Sequence, residues 1–278
     1  AKFIRAYIYF YLLAVYGDQA LLGNDNGDGV VLNLVPYNGY NPDKISGRAS
    51  NAEIWGLIIK DLEEAIPDLP ANAPDIKSRI RANKAAAQAL LSRVYLYKGT
   101  YTNNKKKKKK SCSLAKDVLN TTGYTFSNSS TEFSTALFPS NAYSQSGSYP
   151  DPTTRSNELI FYQPSRLYAD DYPSGINYYR KNTLYVPATM KDLYDENDVR
   201  RTYLIWRGSP SENVKDSTTM KYSGGEYNDV IYIRLAEVKL TYAETLARTQ
   251  NKVTSEAIGH LNDVHQRAYP DGMKPQLY

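Results

Sequence analysis

The sequence predicts a mostly α-helical fold of tetratricopeptide-like helix pairs, interrupted by a loop-rich, aromatic insertion that contains a few short strands. Three observations predict it. Apolar residues recur every three or four positions near both ends of the chain, and capping signals bracket those stretches. Between residues 124 and 229 this periodicity gives way to Ser, Thr, Asn, Gly and Pro. The reading is one domain over residues 1–278, with helical pairs at about 1–123 and 230–268 and the loop-rich region at about 124–229.

Ile4, Tyr7, Ile8, Tyr11, Leu12 and Val15 form the first helical stripe, and Gly17 stands at its end. Tyr9, Phe10 and Leu13 make the opposite face apolar too, so the helix is expected to be buried on most sides. Residues 18–43 lack periodicity and read as a long loop. Asn24, Asn26, Asp28 and Gly29 imitate the start of a calcium loop, but Val35 stands where the bidentate Glu belongs, so this is read as a turn. Ser50 and Glu53 form a capping box for a helix carrying Ile54, Leu57, Ile58, Leu62, Ala65 and Ile66, which stops before Pro67.

Lys84 to Lys98 is alanine-rich and carries Leu90, Leu91, Val94, Tyr95 and Tyr97, with Gly99 expected as a left-handed cap. Leu114, Ala115, Val118 and Leu119 give a shorter helix ending near Gly123. Extended segments are expected at Leu159 to Gln163, Thr202 to Trp206 and Thr219 to Tyr222, and a short helix at Ala188 to Asp195. Helical order is expected again from Val230 through Leu246. A last helix carries Ala257, Ile258, Leu261 and Val264, with Ser255 as its cap.

A chain of 278 residues can bury a sizeable core without metals or disulfides, and Cys112 is its only cysteine. The 34 Lys and Arg exceed the 29 Asp and Glu, but six of them are the run Lys105 to Lys110. Without that run 28 basic residues face 29 acidic ones, so a protein-wide nucleic-acid surface is not supported. The run itself reads as a solvated helix face, with contact to phosphate or lipid head groups as the lesser alternative. Phe3 to Tyr16 is the most apolar stretch, yet it contains Arg5 and falls short of the ~20 residues a bilayer span needs. The chain starts inside a helical pattern and is read as an internal portion of a longer protein. Tyrosine is abundant, at 26 against 6 Phe and 2 Trp, which suits both packing and wet recognition surfaces.

Catalytic signatures are missing. There is no G-x-S-x-G, H-E-x-x-H or G-x-x-x-x-G-K-[ST]. His260 and His265 lie five apart on one helix, read as surface positions too divergent to chelate one metal. Lysines precede Cys112, but no histidine is close to it in sequence. Asp198 with Arg200 reads as a structural ion pair, and no carboxylate pair is marked as acid and base. No cofactor, no metal and no enzymatic activity are expected.

Seven segments in order carry a family resemblance. The run Arg5-Ala6-Tyr7-Ile8-Tyr9-Phe10 through Tyr16-Gly17-Asp18 resembles the "R-A-Y-x-Y-F-x-L…Y-G-D" helix of the SusD/RagB family. Ile59-Lys60-Asp61-Leu62-Glu63-Glu64-Ala65 before Leu69-Pro70 resembles its "I-x-x-D-L-x-x-A" helix. Ala85-Ala86-Ala87-Gln88-Ala89-Leu90-Leu91-Ser92-Arg93-Val94-Tyr95-Leu96-Tyr97 is similar to its "A-A-x-A-L-L-A-R-V-Y-L-Y" helix. Asn157-Glu158-Leu159-Ile160-Phe161, Leu193-Tyr194 with Asp198 and Arg200, Arg234-Leu235-Ala236-Glu237-Val238 with Ala243-Glu244, and Asn262 with Arg267-Ala268 follow in the family's order. The chain departs from the pattern at Asn103 to Lys110, where the family has a mixed, alanine-bearing helix start. The family's lipidated N-terminal region and the region after the last helix pair are also not among these residues.

The resemblance implies a bacterial outer-membrane lipoprotein, displayed at the cell surface through an N-terminal lipid anchor. Such proteins cap a SusC-like TonB-dependent transporter and deliver oligosaccharides, or in some members peptides, to it. The expected function is therefore capture without bond breaking, with the helix pairs as scaffold and the aromatic loops as ligand surface. Sugars present apolar C–H faces and a ring of hydroxyls, which aromatic platforms with adjacent polar groups satisfy together. Tyr178 and Tyr179 beside Asn177 and Arg180 offer that combination, Tyr172 lies just before them, and Trp206 with Arg207 offers another. The alternatives are a peptide-binding member of the family, a helical glycoside hydrolase, and a plain tetratricopeptide adaptor. The tyrosine-rich insertion argues against the last.

Overall fold

Lys2–Tyr16 forms the first helix, α1, in a computed structural model that describes residues 1–35, 39, 46–71, 75–127, 129–130, 155–163, 188–203, 206–207, 217–218 and 230–275. Its core face is Phe3, Ala6, Phe10 and Leu13, one helical turn apart. Ile8, Val15 and Tyr16 are more than half exposed, so α1 is buried on one side and not on most sides. Both faces are apolar, and periodicity alone could not choose between them. An ion pair does: Arg5 grips the buried Asp61 with both guanidinium arms, at 2.6 and 2.7 Å.

The chain divides into two compact units. The first comprises Ala1–Asn72, Ala82–Thr121 and Thr241–Thr254; the second comprises Ala73–Arg81, Thr122–Leu240 and Ser255–Tyr278.

In the first unit α1 leads to a short antiparallel ribbon, β1 (Asp28–Val31) with β2 (Arg48–Ser50), and then to α2 (Asn51–Ala65). The expected capping box is formed in full. Ser50 Oγ accepts from the Glu53 backbone N–H, and the Glu53 carboxylate accepts from the Ser50 N–H at 2.8 Å. That carboxyl is held below its usual range, first by the Ser50 hydroxyl and then by the Ser50 backbone. The calcium-like loop is indeed a turn. Asn51 Nδ2 donates to the carbonyls of Asp18 and Asn24, and the ammonium of Lys98 sits on the Asp25 carboxylate.

α3 (Lys84–Tyr101) and α4 (Lys105–Leu119) form a tight helical hairpin. Gly99 is not its left-handed cap. The helix runs past it to Tyr101, and Asn103, with φ of 46°, makes the reversal. Gly99 serves the packing instead, since a Cβ there would stand 3.0 Å from the backbone nitrogen of Lys108. α4 starts at Lys105, so the lysine run is its first two turns, capped by Asn104 Oδ1 accepting from the Lys107 N–H. Ser92 and Ser111 tie the hairpin through buried hydroxyl contacts of 2.7–3.1 Å.

In the second unit β3 (Leu159–Gln163) appears where the sequence places it. α5 spans only Ala188–Lys191, and Val199–Tyr203 is helical, α6, which corrects the extended reading of Thr202. A small ribbon follows, β4 (Trp206–Arg207) with β5 (Ser217–Thr218). Val230–Arg234 is a strand, β6, and not the start of the last long helix. Ile231 and Ile233 alternate with Tyr232 and Arg234, a period of two that β-branched residues favour, and β3 supplies the partner. Helix α7 (Leu235–Gln250) follows at once and continues into the first unit; α8 (Ser255–Gln266) completes the described elements. Among the described residues no helix is long and apolar enough to cross a membrane.

Candidate functional site

Tyr172, Asn177, Tyr178, Tyr179 and Arg180 lie outside the described residues, and of Trp206 only the backbone is described, paired with Thr218. What the structure builds is the frame from which their segment departs and to which it returns. Gln163, the last residue of β3, is the register partner of Val230, the first of β6. The tyrosine-rich stretch 164–229 thus begins and ends at one position of a two-stranded sheet. β3 is buried on both faces: Leu159, Ile160, Phe161 and Tyr162 are each at most 5% exposed. Tyr162 donates its hydroxyl to the Ile76 carbonyl at 3.2 Å, and Phe161 packs against Tyr232 with ring centroids 5.2 Å apart.

Two buried arginines hold this frame. Arg79, in the 3₁₀ turn Ser78–Ile80, is fully buried and donates to the carbonyls of Asn157 (2.9 Å), Leu159 (3.0 Å) and Gly123 (2.5 Å). Its guanidinium lies 4.5 Å from the centre of the Tyr124 ring. Burial lowers the affinity of Arg79 for its proton and raises the pKa of Tyr124. Arg267 reaches the buried Glu158 carboxylate and covers the Phe126 ring at 4.4 Å. Burial pushes its pKa down to about 10, while Glu158 pulls the other way.

Glu158 does more than pair with Arg267. Its other oxygen accepts from Arg234 at 3.1 Å and from the Ala236 backbone N–H at 3.3 Å, and its carbonyl accepts from the Leu235 N–H at 2.9 Å. A carboxylate at the first turn of α7 meets the positive end of the helix dipole and satisfies orphan donors. The resemblance singles out both Glu158 and Arg267, but nothing in the linear sequence says that they meet.

Asp198 and Arg200 form the expected ion pair, with Arg200 Nη2 2.5 Å from Asp198 Oδ2. Burial of Arg200 is the largest single influence and opposes its charge, but the Asp198 hydrogen bond and the attraction of Asp198 and nearby tyrosines together outweigh it, so the guanidinium pKa is raised. His260 and His265 are half-buried and not surface residues. His260 Nδ1 lies 3.4 Å from Lys239 Nζ, and His265 packs tilted against Tyr269 with ring centroids 5.2 Å apart. Burial first, and then Lys239 or Arg200, lowers the pKa of each. No group of three or more His, Cys, Asp or Glu able to hold a metal occurs among the described residues.

With the frame established, comparisons place the chain among known proteins. Residues 92–276 match the model of the SusD family, and residues 1–96 match a second SusD-like model described as starch-binding, associating with the outer membrane. Among solved structures, a protein of Bacteroides vulgatus is 23% identical with a TM-score of 0.72, over 99% of this chain and 59% of its own. A SusD superfamily protein of Bacteroides thetaiotaomicron is 22% identical with a TM-score of 0.73, over 97% and 58%. Surface glycan-binding protein A of Bacteroides uniformis is 17% identical with a TM-score of 0.66, over 98% and 59%. The chain therefore spans a little under three-fifths of the length of these structures. No match is found among curated proteins.

Proposed function

The chain belongs to the SusD family, and from that premise we propose that it captures oligosaccharides and passes them, unbroken, to a SusC-like TonB-dependent transporter at the outer-membrane surface. In this reading a lipid anchor in the parent protein holds it at the cell surface. The match of residues 92–276 to the family carries the reading, and it includes the whole tyrosine-rich stretch. The likeness to surface glycan-binding protein A of Bacteroides uniformis supports carbohydrate as the ligand class.

The ligand surface would be formed by Tyr172, Asn177, Tyr178, Tyr179, Arg180 and Trp206. Aromatic faces stack on the apolar side of a sugar ring, and Asn and Arg hydrogen-bond its hydroxyls. The two-stranded frame supports this division of labour, because buried arginines and a buried carboxylate rigidify the base from which the aromatic segment extends.

Isothermal titration calorimetry with a panel of neutral oligosaccharides and mixed peptides tests the proposal. Saturable heat with sugars is expected. Saturation with peptides alone would move the protein to the peptide-binding branch of the family, and continuing heat with released product would overturn the non-catalytic reading.

A further inference from the structure

An open groove of about 510 Å³ lies along α4 and the end of α7, within one unit of the chain. It is lined by Lys105, Lys109, Cys112, Ser113, Lys116, Thr249 and Gln250. Its volume falls in the range of small-ligand sites, roughly 300–1,000 Å³. At ~100° per residue, positions 105, 109, 112 and 116 fall within about 60° of one another on the helix, so three lysines form a single stripe. The stripe extends about 16 Å along the axis at ~1.5 Å per residue.

Two other lysines of the run are differently engaged. Lys108 is buried with its ammonium on Asn103 Oδ1 at 2.9 Å. Lys110 reaches Glu63 (3.1 Å) and the Tyr95 hydroxyl (3.0 Å). Lys105, Lys109 and Lys116 are exposed, make no ion pair with a described residue, and share their groove with no described carboxylate. Two of them stand in the first turns of a helix that has no acidic residue there, where the macrodipole and like charges four residues apart both disfavour cations. A bound anion would relieve both.

We propose that this groove is a second binding site, taking an oligosaccharide that carries sulfate or carboxylate groups at intervals along its chain. Three ammonium groups in a row meet the anions, while Ser113, Thr249 and Gln250 offer neutral polar groups for hydroxyls. The lack of a large apolar side chain in the groove's lining favours a saccharide over insertion at a lipid surface. The choice of a saccharide as carrier of the charges rests on the carbohydrate-binding reading above; the anion chemistry does not.

The test titrates the full chain with a chondroitin sulfate oligosaccharide, a neutral oligosaccharide bound by the unaltered protein, and phosphatidylglycerol vesicles. Each is repeated on a groove variant (Lys105→Gln, Lys109→Gln, Lys116→Gln) and on a charge-matched variant elsewhere (Lys2→Gln, Lys60→Gln, Lys77→Gln). The sulfated ligand is expected to bind saturably. Its affinity should fall with salt at a log–log slope of about −2 for three contacts. The groove variant should weaken it at least tenfold and the remote variant less than threefold, with neutral-sugar binding unchanged in both. Equal losses in the two variants would reduce the effect to net charge and overturn the site. Failure to bind the sulfated ligand, or preference for the vesicles, would overturn the saccharide assignment. Should no neutral sugar bind while the sulfated one does, the reading of the aromatic region falls and the groove stands.

Discussion

Glu158 and Arg267 meet in the interior, each no more than 3% exposed, and the same carboxylate caps the first turn of α7. One side chain thereby joins the start of β3, the start of α7 and the end of α8. Removing either partner strands a buried charge, which costs about 3–5 kcal/mol. Glu158→Ala is therefore expected to lower the urea midpoint sharply, and the double change Glu158→Met with Arg267→Met to recover much of the loss. A double variant as unstable as the single one would show that the capping hydrogen bonds of Glu158, and not its charge pairing, dominate.

Arg79 predicts a loss of stability by a different route. Arg79→Met keeps the apolar stem but leaves the carbonyls of Asn157, Leu159 and Gly123 without this donor. Of these acceptors only the Leu159 carbonyl belongs to a buried residue, and leaving it without its donor is expected to cost about 1–3 kcal/mol in denaturation experiments. Arg79→Lys should rescue it only partly, since a lysine lacks the planar fork that serves several acceptors.

Two glycines predict opposite signs. Gly99→Ala forces a methyl against the α4 backbone and is expected to destabilise the hairpin by about 1–3 kcal/mol. Gly56→Ala, on an exposed face of α2 with open space around it, is expected to stabilise by about 0.5–1 kcal/mol. Thermal melts of the two variants read both directly, and a shift of like sign would contradict the close approach at Gly99.

The histidines predict an acid sensitivity. Both have a folded pKa below the unfolded value of about 6.5, so the native state binds fewer protons and stability falls as pH drops below that value. Urea midpoints at pH 7.5 and pH 5.5 should differ in that direction. The difference should shrink in a variant with His260→Gln and His265→Gln. An undiminished slope would assign the effect to carboxylates.

Replacing Tyr178, Tyr179 and Trp206 singly by alanine tests the proposed ligand surface. At least one change is expected to weaken oligosaccharide binding tenfold or more with far-ultraviolet circular dichroism unchanged. Full affinity in all three would move the platform elsewhere.

Most of the helical scaffold could be read from the sequence, because α2 advertises itself by spacing and by its cap at Ser50 and Glu53, and α3 and α8 by spacing, although Ser255 is the first residue of α8 and not its cap. The failures have local causes. Gly99 looks like a terminator in one dimension, whereas its smallness serves a neighbouring helix. Val230–Arg234 carries enough apolar residues to extend the helical pattern, and its short alternation becomes decisive only beside the distant partner strand β3. The frame around the aromatic region was the least visible part. Buried charges such as Arg79 and Glu158 leave no periodic trace, because their partners come from distant positions. The six candidate ligand residues rest on chemistry and local pattern alone.

The pairing of Gln163 with Val230 has an evolutionary corollary. A segment whose two ends meet across a ladder can change in length and composition without moving its supports, and doubling a flexible loop costs only about 0.6 kcal/mol in closure entropy. Val199 tethers the segment midway through its N–H to the Ala268 carbonyl at 2.8 Å. Such a frame lets the intervening segment change while β3 and β6 keep their register.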